Sequence, residues 1–208
     1  MLLIGIPIIN MALIYTGGTL VFIAASLLIA QLWGMRPAPG GKAAAADHTG
    51  RPFYISGLSF FLLGIIIGTG LWFDWATPLR ISVPLEAHIH SNSWGLMSLV
   101  FAGLLVDTYP VWAGRPLAWP RSIRPIFWLM TFGALGLVMG PWFNSRWFTV
   151  PGLLMHQTAT FWLVLNVIKP LWGDRRILSQ PRPWHIITSY LWLSAPVLGA
   201  PLILLGIR

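Results

Sequence analysis

The chain alternates long apolar blocks with short polar connections. A membrane-spanning helix needs about 20 consecutive, mostly apolar residues, and blocks of this kind recur through the whole sequence. Because lipid offers the backbone no hydrogen-bond partners, such a block satisfies its backbone by forming a helix. The pattern predicts an all-α integral membrane protein, a bundle of about six transmembrane helices near residues 3–33, 53–73, 85–109, 125–142, 149–172 and 185–207.

Composition supports the membrane class and a single transmembrane domain over residues 1–208. Only 9% of the residues are charged and 56% are hydrophobic, whereas about a quarter of an average globular protein is charged. The longest connection, 34–52, is rich in Ala, Gly and Pro, and we expect it to be a surface loop. We expect the first block to be retained as a helix, because no Lys or Arg precedes it and it is longer than a signal-peptide core.

The basic residues predict an orientation rather than a nucleic-acid partner. They are scattered through short connections and form no basic patch, so we exclude nucleic acid despite the formal charge of +8. Ten of the thirteen Lys and Arg residues fall on one side of the predicted bundle, and Arg80, Arg146 and Arg208 fall on the other. Cytoplasmic loops are the ones enriched in Lys and Arg. Both termini are therefore predicted to lie outside.

A few polar residues interrupt the apolar blocks, and such residues are functional candidates in membrane proteins. Glu86, His88 and His90 open the third block, and His156 lies inside the fifth. His185, at the start of the sixth block, has the position of an interfacial residue. His48 lies in the long connection, where we expect it to be solvated.

His90 and His156 form the candidate pair. We expect them about five and about seven residues into two parallel helices, which is a difference in depth of about 3 Å. Two imidazoles at one depth on neighbouring helices are a suitable pair of axial ligands for one haem. The alternative is that each histidine is buried and hydrogen-bonded without a cofactor.

The residues around His90 leave a second kind of site open. Glu86 and His90 are four residues apart and share a helix face, whereas His88 is rotated by about 200° from His90. Glu86, His88, His90 and His156 are also the ligand types that a copper, zinc or iron ion accepts. A non-haem metal protein and a structural membrane subunit without a cofactor are therefore the alternatives to a haem protein.

The run His88-Ile-His90-Ser-Asn92-Ser-Trp94-Gly95, followed by Tyr109-Pro110, resembles a known family. It is similar to the second helix of subunit I in the cbb3-type oxidase and nitric oxide reductase branch of the haem–copper oxidase superfamily. The resemblance covers this helix well and extends loosely over the four blocks from 53 to 172. It implies that His90 ligates a low-spin haem b, and we predict His156 as the second ligand.

The chain also departs from that family. It has five histidines and no adjacent His–His pair, so the copper site at which the family reduces oxygen or nitric oxide is absent. We expect no oxidase activity from the chain alone. We expect instead electron transfer or ligand sensing as a subunit of a larger redox complex in the bacterial cytoplasmic (inner) membrane. Arg80 and Arg146 are predicted to pair with the haem propionates.

Overall fold

The computed structural model describes residues 6, 8–35, 50–172, 179 and 181–204. Within these ranges the protein is all-helical, which confirms the predicted fold class, and the long helices number six, as predicted. His48 and Arg208 lie outside the described residues. The helices are α1 (Met11–Gly34), α2 (Arg51–Phe73), α3 (Pro84–Ala113), α4 (Ile123–Phe143), α5 (Arg146–Ile168) and α6 (Pro181–Leu204).

Four of these helices, α1 to α4, are long and apolar enough to cross a membrane. The other two, α5 and α6, have 23 and 24 residues, which is also sufficient length. They do not reach the same apolar character over their described residues. In α5 the difference comes from polar side chains such as His156, Gln157 and Thr160.

The helix ends differ from the predicted blocks where capping residues decide them. Helix α1 begins at Met11, where the Asn10 side chain accepts the Leu13 N–H at 3.1 Å and caps the helix, and the predicted start of the block near residue 3 lies outside the described residues. The fifth begins at Arg146, three residues before the predicted start at 149, directly after a turn in which Asn144 has a left-handed conformation (φ 48°). It ends at Ile168 rather than near 172, in a 3₁₀ turn that contains Pro170.

Glycines bring α2 and α3 into close antiparallel contact. A Cβ built at Gly57 would lie 2.9 Å from Val100 Cγ2, and one at Gly64 would lie 2.7 Å from Asn92 Nδ2. Small residues of this kind let membrane helices approach each other closely. The Gly64-Ile-Ile-Ile-Gly68 pattern therefore faces α3 and is part of the helix contact.

A second glycine seam joins α4 to α5, the most extensive helix contact in the described chain. A Cβ at Gly133 would lie 2.6 Å from the His156 backbone nitrogen, and a Cβ at Gly136 would lie 2.7 Å from Gly152 Cα. The two backbones nearly touch, so no large group fits between α4 and α5 along this seam.

Short loops fix the two ends of the bundle. We call the end that carries the α2–α3 and α4–α5 loops the outer end, following the charge-based orientation. There Ser82 N–H donates to Trp142 O at 2.9 Å, so the start of α3 is attached to the last turn of α4. At the inner end, the buried Asn166 side chain accepts Trp119 N–H and donates to Ser122 Oγ, both at 2.7 Å.

The third helix is not uniform. It is α-helical over Pro84–His90, π-helical over Ser91–Met97 and α-helical again over Ser98–Ala113. A π-helical turn holds more residues than an α-helical one and is often found at functional sites. The apolar pattern of the block did not predict this segment, which starts directly after His90.

Candidate functional site

His88 and His90 are held from opposite sides of α3. The His88 ring donates from Nδ1 to the Gly64 carbonyl of α2 at 2.7 Å. The His90 ring donates from Nδ1 to the Leu137 carbonyl of α4 at 2.7 Å. The prediction that these two side chains point in different directions agrees with these partners.

The His88 ring is enclosed against α2. A Cβ at Gly68 would lie 2.6 Å from His88 Cε1 and 2.7 Å from its Nδ1, so the absence of a side chain at Gly68 makes room for the imidazole. Asn92 donates from Nδ2 to the His88 backbone carbonyl at 2.8 Å and packs on Gly64. His88 and Asn92 therefore serve the α2–α3 contact.

His90 is more open. Its side chain is 19% exposed, and its Nε2 lies 3.9 Å from Glu86 Oε1. Because Nδ1 carries the proton that Leu137 O accepts, Nε2 of the neutral ring keeps a lone pair. A histidine that ligates a metal usually donates its other N–H to a carbonyl in this manner.

His156 is fully buried, with 0% of its surface exposed. Its Nε2 lies 3.1 Å from Ser98 Oγ on α3, and its Nδ1 lies 3.4 Å from Thr160 Oγ1. The Trp94 ring meets the imidazole edge to face, with 5.9 Å between the ring centroids. His156 thus links α5 to α3 through side chains at the centre of the bundle.

The structure separates His156 from His90 by more than the predicted depth. His90 is the seventh residue of α3 and His156 the eleventh of α5. A difference of four residues corresponds to about 6 Å along the helices, not about 3 Å. The cause is the earlier start of α5.

The four candidate side chains do not converge on one metal ion. Within the described residues, which include Glu86, His88, His90 and His156, no group of three or more His, Cys, Asp or Glu side chains is placed to hold one. The geometric reason is that His88 faces α2, His90 faces α4 and His156 faces Ser98. The predicted Glu86–His88–His90 set therefore offers two neighbouring ligands at most.

The remaining candidates lie at the ends of the bundle. Arg80 is in the α2–α3 loop, with a left-handed backbone (φ 54°), and Arg146 is the first residue of α5. Both are exposed and belong to the outer end, as His90 does. His185 is exposed in the first turns of α6 at the inner end, where its carbonyl accepts the Ser189 hydroxyl at 2.6 Å.

The outer half of α3 is covered less completely than its inner half. The contacts of α6 with α3 concentrate on Ser98–Ala113, whereas Pro84–Met97 packs mainly on α2 and α4. Met97 on this outer half is 42% exposed, and Trp94 is partly exposed.

Two residues of this region were not predicted from the sequence. Ser98 and Trp94 contact His156, yet a serine and a tryptophan are common in membrane helices and gave no distinct signal. The sequence does show that Trp94 follows His90 by four residues and that Ser98 follows Trp94 by four residues. This spacing places the three side chains on neighbouring positions of one helix face.

Comparison with known proteins adds no family. No protein-family model matches this chain, and no curated protein or solved structure matches it either. The resemblance of the His88–Gly95 run to the haem–copper oxidase helix therefore stays a prediction.

Proposed function

We propose that this protein is a membrane subunit that binds one haem b at its outer end through His90. The observation that carries the proposal is the state of the His90 ring. Its Nδ1 is fixed on the Leu137 carbonyl at 2.7 Å, and its Nε2 is left on a partly exposed side of the helix. This combination gives an imidazole both the tautomer and the rigid orientation that an axial ligand needs.

The other described histidines suit this role less well. His88 has the same kind of Nδ1 anchor, but its ring is pressed against Gly68. His156 has a hydroxyl near each ring nitrogen and no exposed surface. His185 lies at the opposite end of the bundle, on the exposed surface of α6. The family resemblance also selects His90, and this agreement is independent of the geometry.

Arg80 and Arg146 supply the charge that the propionates of a haem near His90 would need. Both guanidinium groups belong to exposed segments at the outer end. Arginine presents a planar fork of donors that matches a carboxylate. Arg80 and Arg146 would therefore be the residues that pair with the propionates of a haem bound at His90.

A bound haem b supplies one-electron transfer, and the chain's own residues restrict what can be done with it. A single haem at one end of a bundle does not carry electrons across a whole membrane. The sequence also lacks a His–His pair for a copper centre. We therefore propose a subunit of a larger redox complex in the bacterial cytoplasmic membrane, without oxidase activity of its own.

The test is a reduced-minus-oxidised spectrum of the purified protein, with pyridine haemochrome quantification and metal analysis. We expect about one haem b per chain. His90→Ala should reduce the bound haem at least tenfold. His88→Ala and the surface variant His185→Ala are the matched controls and should retain it.

Two results would refute the proposal. A protein without a Soret band but with bound copper, zinc or iron would favour the non-haem site. Haem retained in His90→Ala and lost in His88→Ala would show that the ligand is the enclosed histidine.

A further inference from the structure

Trp94 separates the two histidines that the sequence paired. It lies one helical turn after His90 on α3 and packs against Leu137 and Leu153. Its ring then meets the His156 imidazole edge to face. Leu137 also provides the carbonyl that holds His90. The order along the bundle is therefore His90, Trp94, His156, and a haem that touched both imidazoles would have to displace the indole.

The His156 ring is also occupied by a contact with Ser98. Ser98 Oγ lies 3.1 Å from Nε2, the atom that would have to bind iron. Since one serine and one histidine side chain together bridge α3 and α5 there, the gap between these helices is too narrow for a porphyrin and a second ligand. On the other side, Gly133 of α4 sits against the His156 backbone. Helix α5 therefore cannot move away from α3 without disrupting its glycine contact with α4.

We propose that His156 is a structural residue and that the haem is held by His90 alone. This inference rests on the proposed function, and it replaces the low-spin, two-histidine site that the sequence predicted. An iron with one protein ligand has an open coordination position. That position would be open to an added neutral ligand such as carbon monoxide.

The first test adds carbon monoxide to the dithionite-reduced, haem-containing protein. We expect a high-spin, five-coordinate spectrum before addition and a shifted Soret band afterwards. His156→Ala should behave as the wild type does. His156→Gln serves the same purpose should the alanine variant fail to fold, because glutamine keeps a polar group opposite Ser98 but does not ligate haem iron.

The outcomes separate this inference from the proposed function. A low-spin, six-coordinate wild type that ignores carbon monoxide, and that becomes high-spin in His156→Gln, would overturn the inference and leave haem binding through His90 intact. A protein that contains no haem would overturn the proposed function and with it the site held by His90 alone, whereas the structural role of His156 is decided by the second test.

A second test does not depend on the haem signal. We expect Ser98→Ala and His156→Ala each to lower the midpoint of thermal unfolding in detergent. Because the two side chains share one contact, the double variant should lose little more than the more damaging single variant. Fully additive losses would contradict the structural role of His156.

Discussion

The His88 side chain depends on a residue that has no side chain. Its imidazole occupies the space above Gly68, and the neighbouring Asn92 occupies the space above Gly64. The His88 Nδ1–H bond to the Gly64 carbonyl then joins the two helices by a polar contact that lipid cannot replace. The two glycines and the His88–Asn92 pair therefore form one packing unit between α2 and α3.

Gly68→Ala tests this dependence. Its new methyl group would lie 2.6 Å from His88 Cε1, so either the ring or the helix must move. Overpacking of this kind costs about 1–3 kcal/mol, which unfolding of the detergent-solubilised protein can measure. Gly18→Ala on α1 is the control, because its nearest neighbour would be Thr69 Oγ1 at 4.0 Å. Equal stability of the two variants would contradict the close packing.

The candidate residues could be found from the sequence, but their contacts could not. Glu86, His88, His90 and His156 stand out because ionisable side chains are rare in apolar blocks. Which helix each histidine contacts depends on the rotation of α3 and on glycines in α2 and α4. The depth of His156 was misjudged because a turn at Asn144, which carries no apolar signal, sets the start of α5.

The π-helical segment Ser91–Met97 gives α3 its two polar faces. His88, Ser91 and Asn92 contact α2, and Ser91 Oγ donates to Phe60 O at 2.6 Å. His90, Trp94 and Ser98 contact α4 or α5. In a regular α-helix, residues eight apart are rotated by about 80°. The wider π-helical turns compensate part of this drift and keep His90 and Ser98 on the side of α3 that meets α4 and α5.

The segment predicts an unequal response to single-residue deletions. Removing Met97 lets α3 close into a regular α-helix, so the parts on either side should keep their partners. Removing Leu104 from the α-helical part rotates one half of α3 by about 100° against the other. Met97 and Leu104 are both 42% exposed, so the two deletions remove side chains of equal exposure. We expect folded protein from the Met97 deletion only, measured by monodisperse elution and cooperative unfolding. The opposite order would contradict this account.

The number of helices could be predicted from the apolar blocks, but the contacts at the helix ends could not. Asp107 is an example, because this acid inside the third block contacts the start of α2. Its Oδ1 accepts Gly50 N–H at 2.8 Å and its Oδ2 accepts the Tyr54 hydroxyl at 3.1 Å. A carboxylate at this position stabilises the N-terminus of α2. The sequence shows the acid, but only the pairing of α2 with α3 shows its partner.

The bundle as a whole is built from two tight helix pairs. Helix α2 pairs with α3, and α4 pairs with α5, each through glycines. The segment of α3 from His90 to Ser98 joins the two pairs. α1 attaches to α2 at the outer end through the stacked rings of Tyr15 and Phe73, whose centroids are 4.2 Å apart. The polar side chains at the centre thus hold the two pairs together, which is why we expect their loss to lower the stability of the bundle.

Membrane orientation is the prediction that concerns every helix. Ten of thirteen Lys and Arg residues lie in the sequence stretches 34–52, 114–124 and 169–182, which join or begin helices at the inner end, and the positive-inside rule predicts that this end faces the cytoplasm. Reporters that are active only in the cytoplasm should therefore work when fused at Gly40 and Asp174 and fail after Arg208.

A reporter fused at Asn144, compared with the one at Asp174, tests whether α5 crosses the membrane. This comparison is decisive, because α5 is less apolar than α1 to α4 and crosses the membrane only if its polar residues are covered by the other helices. Equal activity at Asn144 and Asp174 would contradict the crossing, and a cytoplasmic Arg208 would contradict the orientation.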